Sequence, residues 1–118
     1  MSSTTQVDKL VRDRLVEVHP ELKERTRKVV DEKEYLTMLF HKMNEELLEL
    51  SQATTEDEVL EEMGDVHEVW QTLMTMLTNR ETDEECMVLH EKFREICKKK
   101  AETYGGFFEG LVLIRSDA

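Results

Sequence analysis

The chain has 118 residues, 36% of them charged and 6% aromatic, with a formal net charge of -11. The length is that of one domain, 1–118, with a modest core, and one proline with four glycines favours helices over an all-β fold. So acidic a surface repels nucleic-acid backbones and anionic membranes, and no apolar run approaches the roughly 20 residues of a membrane span.

Residues 1–7 read as a disordered tail. The opening MSSTTQVDKL holds no apolar signal-peptide region, so the expected location is the cytoplasm. VDKLVRDRLVEV, residues 7–18, suits either a short helix or an extended segment, and Pro20 interrupts it. ELKERTRKVVDEKE, 21–34, reads as a charged connector in which Lys28–Val30 has the composition of a short strand.

The first strong helix is predicted over Glu32–Gln52, with Leu36, Phe40, Met43, Leu47 and Leu50 as its apolar stripe. Thr55 followed by Glu58 forms a capping-box pattern. It opens a second helix over Glu56–Leu77, where Val59, Met63, Val66, Trp70, Leu73 and Leu77 repeat the spacing. Two such stripes joined by a short polar turn describe an antiparallel helix pair. TNRETDEE breaks the pattern, Thr82 or Asp83 caps a third helix ending near Thr103, and Gly105 and Gly106 stop it. Val88 or Leu89, Phe93, Ile96 and Cys97 line its apolar side. FFEGLVLIR, 107–115, is expected as a short strand or extended strap anchored by Phe107 and Phe108. Cys86 and Cys97 would stand about 16 Å apart on one helix, too far for a disulfide, and read as reduced structural thiols. The fold class is therefore all-α, an antiparallel bundle of three main helices with a C-terminal strap, completed by self-association because one chain offers little core.

Two acidic clusters sit on the first two helices: Glu45, Glu46 and Glu49, then Glu61, Glu62 and Asp65. At about 100° per residue, Glu46 falls roughly 80° from the centre of its stripe, with Glu49 on the same flank and Glu45 beyond it. Glu62 falls about 60° from the second stripe's centre, with Asp65 on the same flank and Glu61 further out. Glu46, Glu49, Glu62 and Asp65 can thus converge where the helices pack. Such carboxylates are either ordinary solvated helix surface or, if partly buried, groups that take up protons, find basic partners or bind a cation. Hard oxygen ligands without a Cys/His set suit Mg²⁺ or Mn²⁺.

EELLE, 45–49, followed by EMGD, 62–65, resembles the E-E-x-x-E … E-x-x-D signature of the all-α nucleoside triphosphate pyrophosphohydrolases, a superfamily that includes MazG-like proteins. DKLVRDRL, 8–15, and KAETYGGFFEGLVL, 100–113, look like the opening and closing motifs of its phosphoribosyl-ATP pyrophosphohydrolase-like, MazG-related members. The resemblance spans about residues 8–113 and implies a Mg²⁺-dependent hydrolase, with Mn²⁺ as an alternative ion. The reaction it implies is cleavage of a nucleotide between its α- and β-phosphates. Carried over, Glu46, Glu49, Glu62 and Asp65 match the metal ligands, and Glu45 and Glu46 are the candidate catalytic carboxylates. Lys100, Arg12 and Lys9 are the candidate phosphate contacts. Tyr104 stands where a basic residue commonly precedes Gly-Gly, and Val16 where a proline often follows the opening motif. The implied partners are a nucleotide substrate and further copies of the chain, as a homodimer or homotetramer, with no nucleic acid and no membrane. Within the same class stands phosphoribosyl-ATP hydrolysis in histidine synthesis. Outside it stands a non-catalytic acidic module for a basic protein.

Read from the residues alone, Arg12 with Asp13 serves equally as an ion pair tying down the N-terminal segment, and Lys98, Lys99 and Lys100 suit the negative end of a helix. Trp70 and the methionines read as core or interface. His41 and His67 are packing or surface residues near the carboxylates. Gly64, inside a helix, points to a close helix approach or to access at the metal site.

Overall fold

Capping chemistry sets the long helices. In the computed structural model, which describes residues 8–79 and 82–114, the elements are α1 (Leu15–Val18), a 3₁₀ helix (Pro20–Arg25), α2 (Glu32–Ser51), α3 (Glu56–Thr78) and α4 (Asp83–Tyr104). The described residues are all-α and contain no strand. The expected tail disorder over 1–7, and Arg115 of the expected closing segment, lie outside the described residues. No helix among the described residues is long and apolar enough to cross a membrane.

Each long helix starts on a side-chain oxygen that accepts an otherwise unpaired N–H. The Asp31 carboxylate accepts from the Glu34 amide at 2.8 Å. Thr55 and Glu58 close a full capping box on α3, and Thr82 and Glu85 do so on α4. The α3 chain leaves through Asn79, whose φ of 59° lies in the left-handed region that asparagine tolerates. Gly105, with φ 77°, ends α4.

The short strand expected at Lys28–Val30 does not form. The Val30 N–H donates instead to Glu34 Oε1 at 2.8 Å, and Arg27 grips both oxygens of the same carboxylate at 3.0 and 2.9 Å. The connector is a clasp on the start of α2.

The chain divides into two compact units, Met1–Asn79 and Arg80–Ala118. In the first, α2 and α3 pack as an antiparallel hairpin. Leu39 meets Val69 and Leu73 at one end of the seam, and Glu46 meets Glu62 and Asp65 further along it. Leu39, Val69 and Leu73 are the buried apolar core, and Leu10, Tyr35, Leu36, Met43 and Met76 pack around them. Each fully buried side chain contributes about 2 kcal/mol, so this core is thin.

The seam corrects the phase of the expected stripes. Leu39, outside the predicted stripe, is 2% exposed, whereas Phe40 and Met63, expected inside, are 49% and 53% exposed. Leu47 and Leu77 are exposed too. Leu36, Met43 and Leu73 of the expected stripes do lie at the seam, and the outward-turned members leave an exposed apolar flank on each helix. Glu46 lies two turns beyond Leu39, so the rotation brings it into the seam.

In the second unit α4 contributes no buried residue. Residues 105–114 form a turn, with the Gly110 N–H donating to the Phe107 carbonyl at 3.3 Å, and a stretch without regular structure. Phe107 and Phe108, expected as anchors of the closing segment, are both fully exposed. Cys86 and Cys97 are free thiols.

Candidate metal centre

The seam between α2 and α3 sets a charged residue among apolar ones. Glu46 is 5% exposed. Its Oε1 is buried with no hydrogen-bond partner, and so is Oε1 of Glu62. An unpaired buried polar atom costs on the order of 1–3 kcal/mol, more when charged.

Two triads meet at Glu46. One is Glu45, Glu46 and Glu49, the other Glu46, Glu62 and Asp65, and within each triad one carboxylate oxygen per residue lies within 4.8 Å of the others. The four carboxylates expected to converge are therefore shared between two overlapping groups, with Glu49, exposed on α2, in the first only. Glu61 is exposed and joins neither. An open groove of about 220 Å³ lies beside the cluster, lined by Glu49, Gln52, Ala53, Glu58 and Glu62.

Three basic side chains stand at the carboxylates. Lys42 Nζ lies 2.7 Å from Glu45 Oε1 and 3.1 Å from Glu46 Oε2. Arg12 Nη2 donates to Asp65 Oδ1 at 2.6 Å. Lys9 Nζ lies 4.0 Å from Glu45 Oε2, at the outer limit of an ion pair. Burial pushes the Glu46 carboxyl up, and repulsion from Glu49 and Asp65 adds to this against the pull of Lys42. Burial works to lower the Lys42 ammonium, yet its bonds to Glu45 and Glu46 leave it raised. The bond to Asp65 raises the Arg12 guanidinium.

Sequence reasoning missed Lys42. Its signal was present in KMNEE, where a lysine precedes glutamates by three and four residues on one helical face. Arg12 does pair structurally, but with Asp65 on α3. Lys100 is an exposed residue of α4, ahead of its last turn, which holds no basic residue. His67 stacks on Trp70 at a centroid distance of 6.5 Å, and neither His67 nor His41 joins a triad. A Cβ built on Gly64 meets nothing within 4 Å, so no close helix approach explains the glycine.

The donor set fits a hard divalent cation. It is all carboxylate oxygen, and two buried oxygens have no other partner. Comparison with protein-family models, with curated proteins and with solved structures found no match.

Proposed function

We propose that the chain is a Mg²⁺-dependent nucleotide pyrophosphohydrolase, Mn²⁺ being an alternative ion, that cleaves between the α- and β-phosphates to release a monophosphate and pyrophosphate. The observation that carries this reading is the pair of buried, unpartnered oxygens on Glu46 and Glu62, set beside Asp65. The three spaced motifs at 8–15, 45–65 and 100–113 support the reaction class through their resemblance to the MazG-related pyrophosphohydrolases.

Glu46, Glu62 and Asp65 would hold the ion, with Glu49 and Glu45 flanking it. When bound, the ion neutralises phosphate charge and lowers the pKa of an attacking water. Lys42 pairs with Glu46 Oε2 and leaves Oε1 without a hydrogen-bond partner. Hydrolysis joins a water oxygen to the α-phosphorus and breaks the bridging bond, and a carboxylate of the cluster takes the water's proton. Glu45 and Glu46 are the candidates for that base. Arg12 and Lys9 lie beside the carboxylates and would meet substrate phosphate; Lys100 is a candidate phosphate contact by the resemblance alone. The exposed apolar rows of α2 and α3 fit a homodimer or homotetramer.

The test is pyrophosphate release from a panel of nucleoside triphosphates, including dUTP and oxidised bases, and from phosphoribosyl-ATP, with Mg²⁺, with Mn²⁺ and with chelator. Metal-dependent release is the expected result. No release, with no metal binding by calorimetry, overturns the reading and leaves an acidic helical module for a basic partner.

A further inference from the structure

Asp65 offers its carboxylate to two different cations. On one side it belongs to the triad with Glu46 and Glu62, whose ligand oxygens lie within 4.8 Å of one another. On the other, its Oδ1 already accepts a 2.6 Å hydrogen bond from Arg12. The acidic cluster is more than a charged surface because Glu46 is buried and its Oε1 has no partner. A guanidinium and a divalent ion on one carboxylate repel each other, and the same carboxylate charge cannot fully serve both.

Of the two cations closest to the triad, Arg12 is the one able to leave. Its side chain is 64% exposed and it lies in a non-helical stretch ahead of α1. The stretch is fixed independently, since Leu10 packs against the core. Lys42 is 18% exposed and bonds two carboxylates at once. Its place between Glu45 and Glu46 on its own helix holds it there, so it is not the cation that yields.

We propose that Arg12 is the resident counter-cation of this site, in competition with the divalent ion for Asp65, so that metal binding releases the guanidinium from α3. This rests on the metal reading above. Metal and Arg12 are then antagonists in binding. The freed guanidinium stays tethered beside the carboxylates, where an anionic phosphate is due. A different role, in which Arg12 steadies Asp65 as a ligand, gives the opposite sign: loss of Arg12 would weaken metal binding.

The experiment is calorimetric titration of Mn²⁺ into the full chain, as wild type, Arg12→Gln and Arg14→Gln. Arg14 is the control for net charge, since it pairs with Glu17, outside the triads. Arg12→Gln should bind Mn²⁺ about three- to ten-fold more tightly at low ionic strength, with the gain shrinking as salt rises. Arg14→Gln should match wild type. Circular dichroism should be alike for all three, because Arg12 and Arg14 are both exposed. In wild type, the Arg12 Nε–H resonance should shift as Mg²⁺ saturates the site. Equal or weaker binding by Arg12→Gln, an equal gain in Arg14→Gln, or an unmoved Arg12 resonance at saturation overturns the exchange and leaves the metal reading standing. No binding by wild type or by Arg12→Gln overturns both.

Discussion

Lys42 holds Glu46 by one oxygen only: its Nζ stands 3.1 Å from Oε2, while Oε1 is buried without a hydrogen-bond partner. A half-compensated carboxylate in a helix seam opposes folding, because burial and its acidic neighbours raise its pKa and so disfavour the ionised form. Removing Lys42 should worsen this. Lys42→Met should lose about 1–3 kcal/mol of stability in chelator. Glu46→Gln, which removes the charge, should be at least as stable as wild type. Urea denaturation of the three proteins decides; an equal loss in both variants would make the ion pair a net stabiliser.

Function and stability should separate at the triad. Glu46→Gln and Asp65→Asn should each lose about 100-fold or more in pyrophosphate release, with far-ultraviolet circular dichroism unchanged. A collapse of helical signal would assign these residues a structural role.

Glu34 should govern acid sensitivity at the N-terminal clasp. The hydrogen bonds from Arg27 and then the Val30 amide lower its carboxyl from an ordinary 4.5 to about 2. A carboxyl depressed by folding stabilises fully above its unfolded value, and the contribution fades as pH falls from about 4.5 towards 2. The stability gap between wild type and Glu34→Gln should therefore be largest at neutral pH and shrink through that window. Urea midpoints at pH 7, 5, 4 and 3 measure it.

Gly64 sits exposed inside α3 with open space where a Cβ would stand. Gly64→Ala should add about 0.5–1 kcal/mol, since alanine restricts the unfolded chain and favours helix. Thermal unfolding of the two proteins is the check. A drop in turnover alongside that gain would mean the open space admits substrate.

The hairpin leaves Phe40 and Leu47 on α2, and Met63 and Leu77 on α3, exposed. Sedimentation equilibrium should give the mass of two or four chains. The double substitution Phe40→Glu with Met63→Glu should lower that mass, because buried charge in an apolar interface is costly.

The sequence by itself determined where the long helices start and stop. Their boundaries, expected at 32–52, 56–77 and 83 to about 103, lie within a residue of Glu32–Ser51, Glu56–Thr78 and Asp83–Tyr104. Capping is local chemistry: Thr55 needs only Glu58, Thr82 only Glu85, and Gly105 only its own backbone freedom. The acidic residues of the two triads were equally legible, as residue types at helical spacing. Leu36, Met43 and Leu73 of the expected stripes reached the seam, and tertiary structure alone decided which flank of each stripe joined them. Leu39, Val69 and Leu73 packed together, which buried Glu46 and left Phe40 outside. Periodicity could not rank the flanks, because both fit the same 3.6-residue repeat. The partner of Arg12 was also beyond local reasoning: Asp65 lies 53 residues away in the chain, and only the packing of the N-terminal segment on the hairpin brings the two charges together.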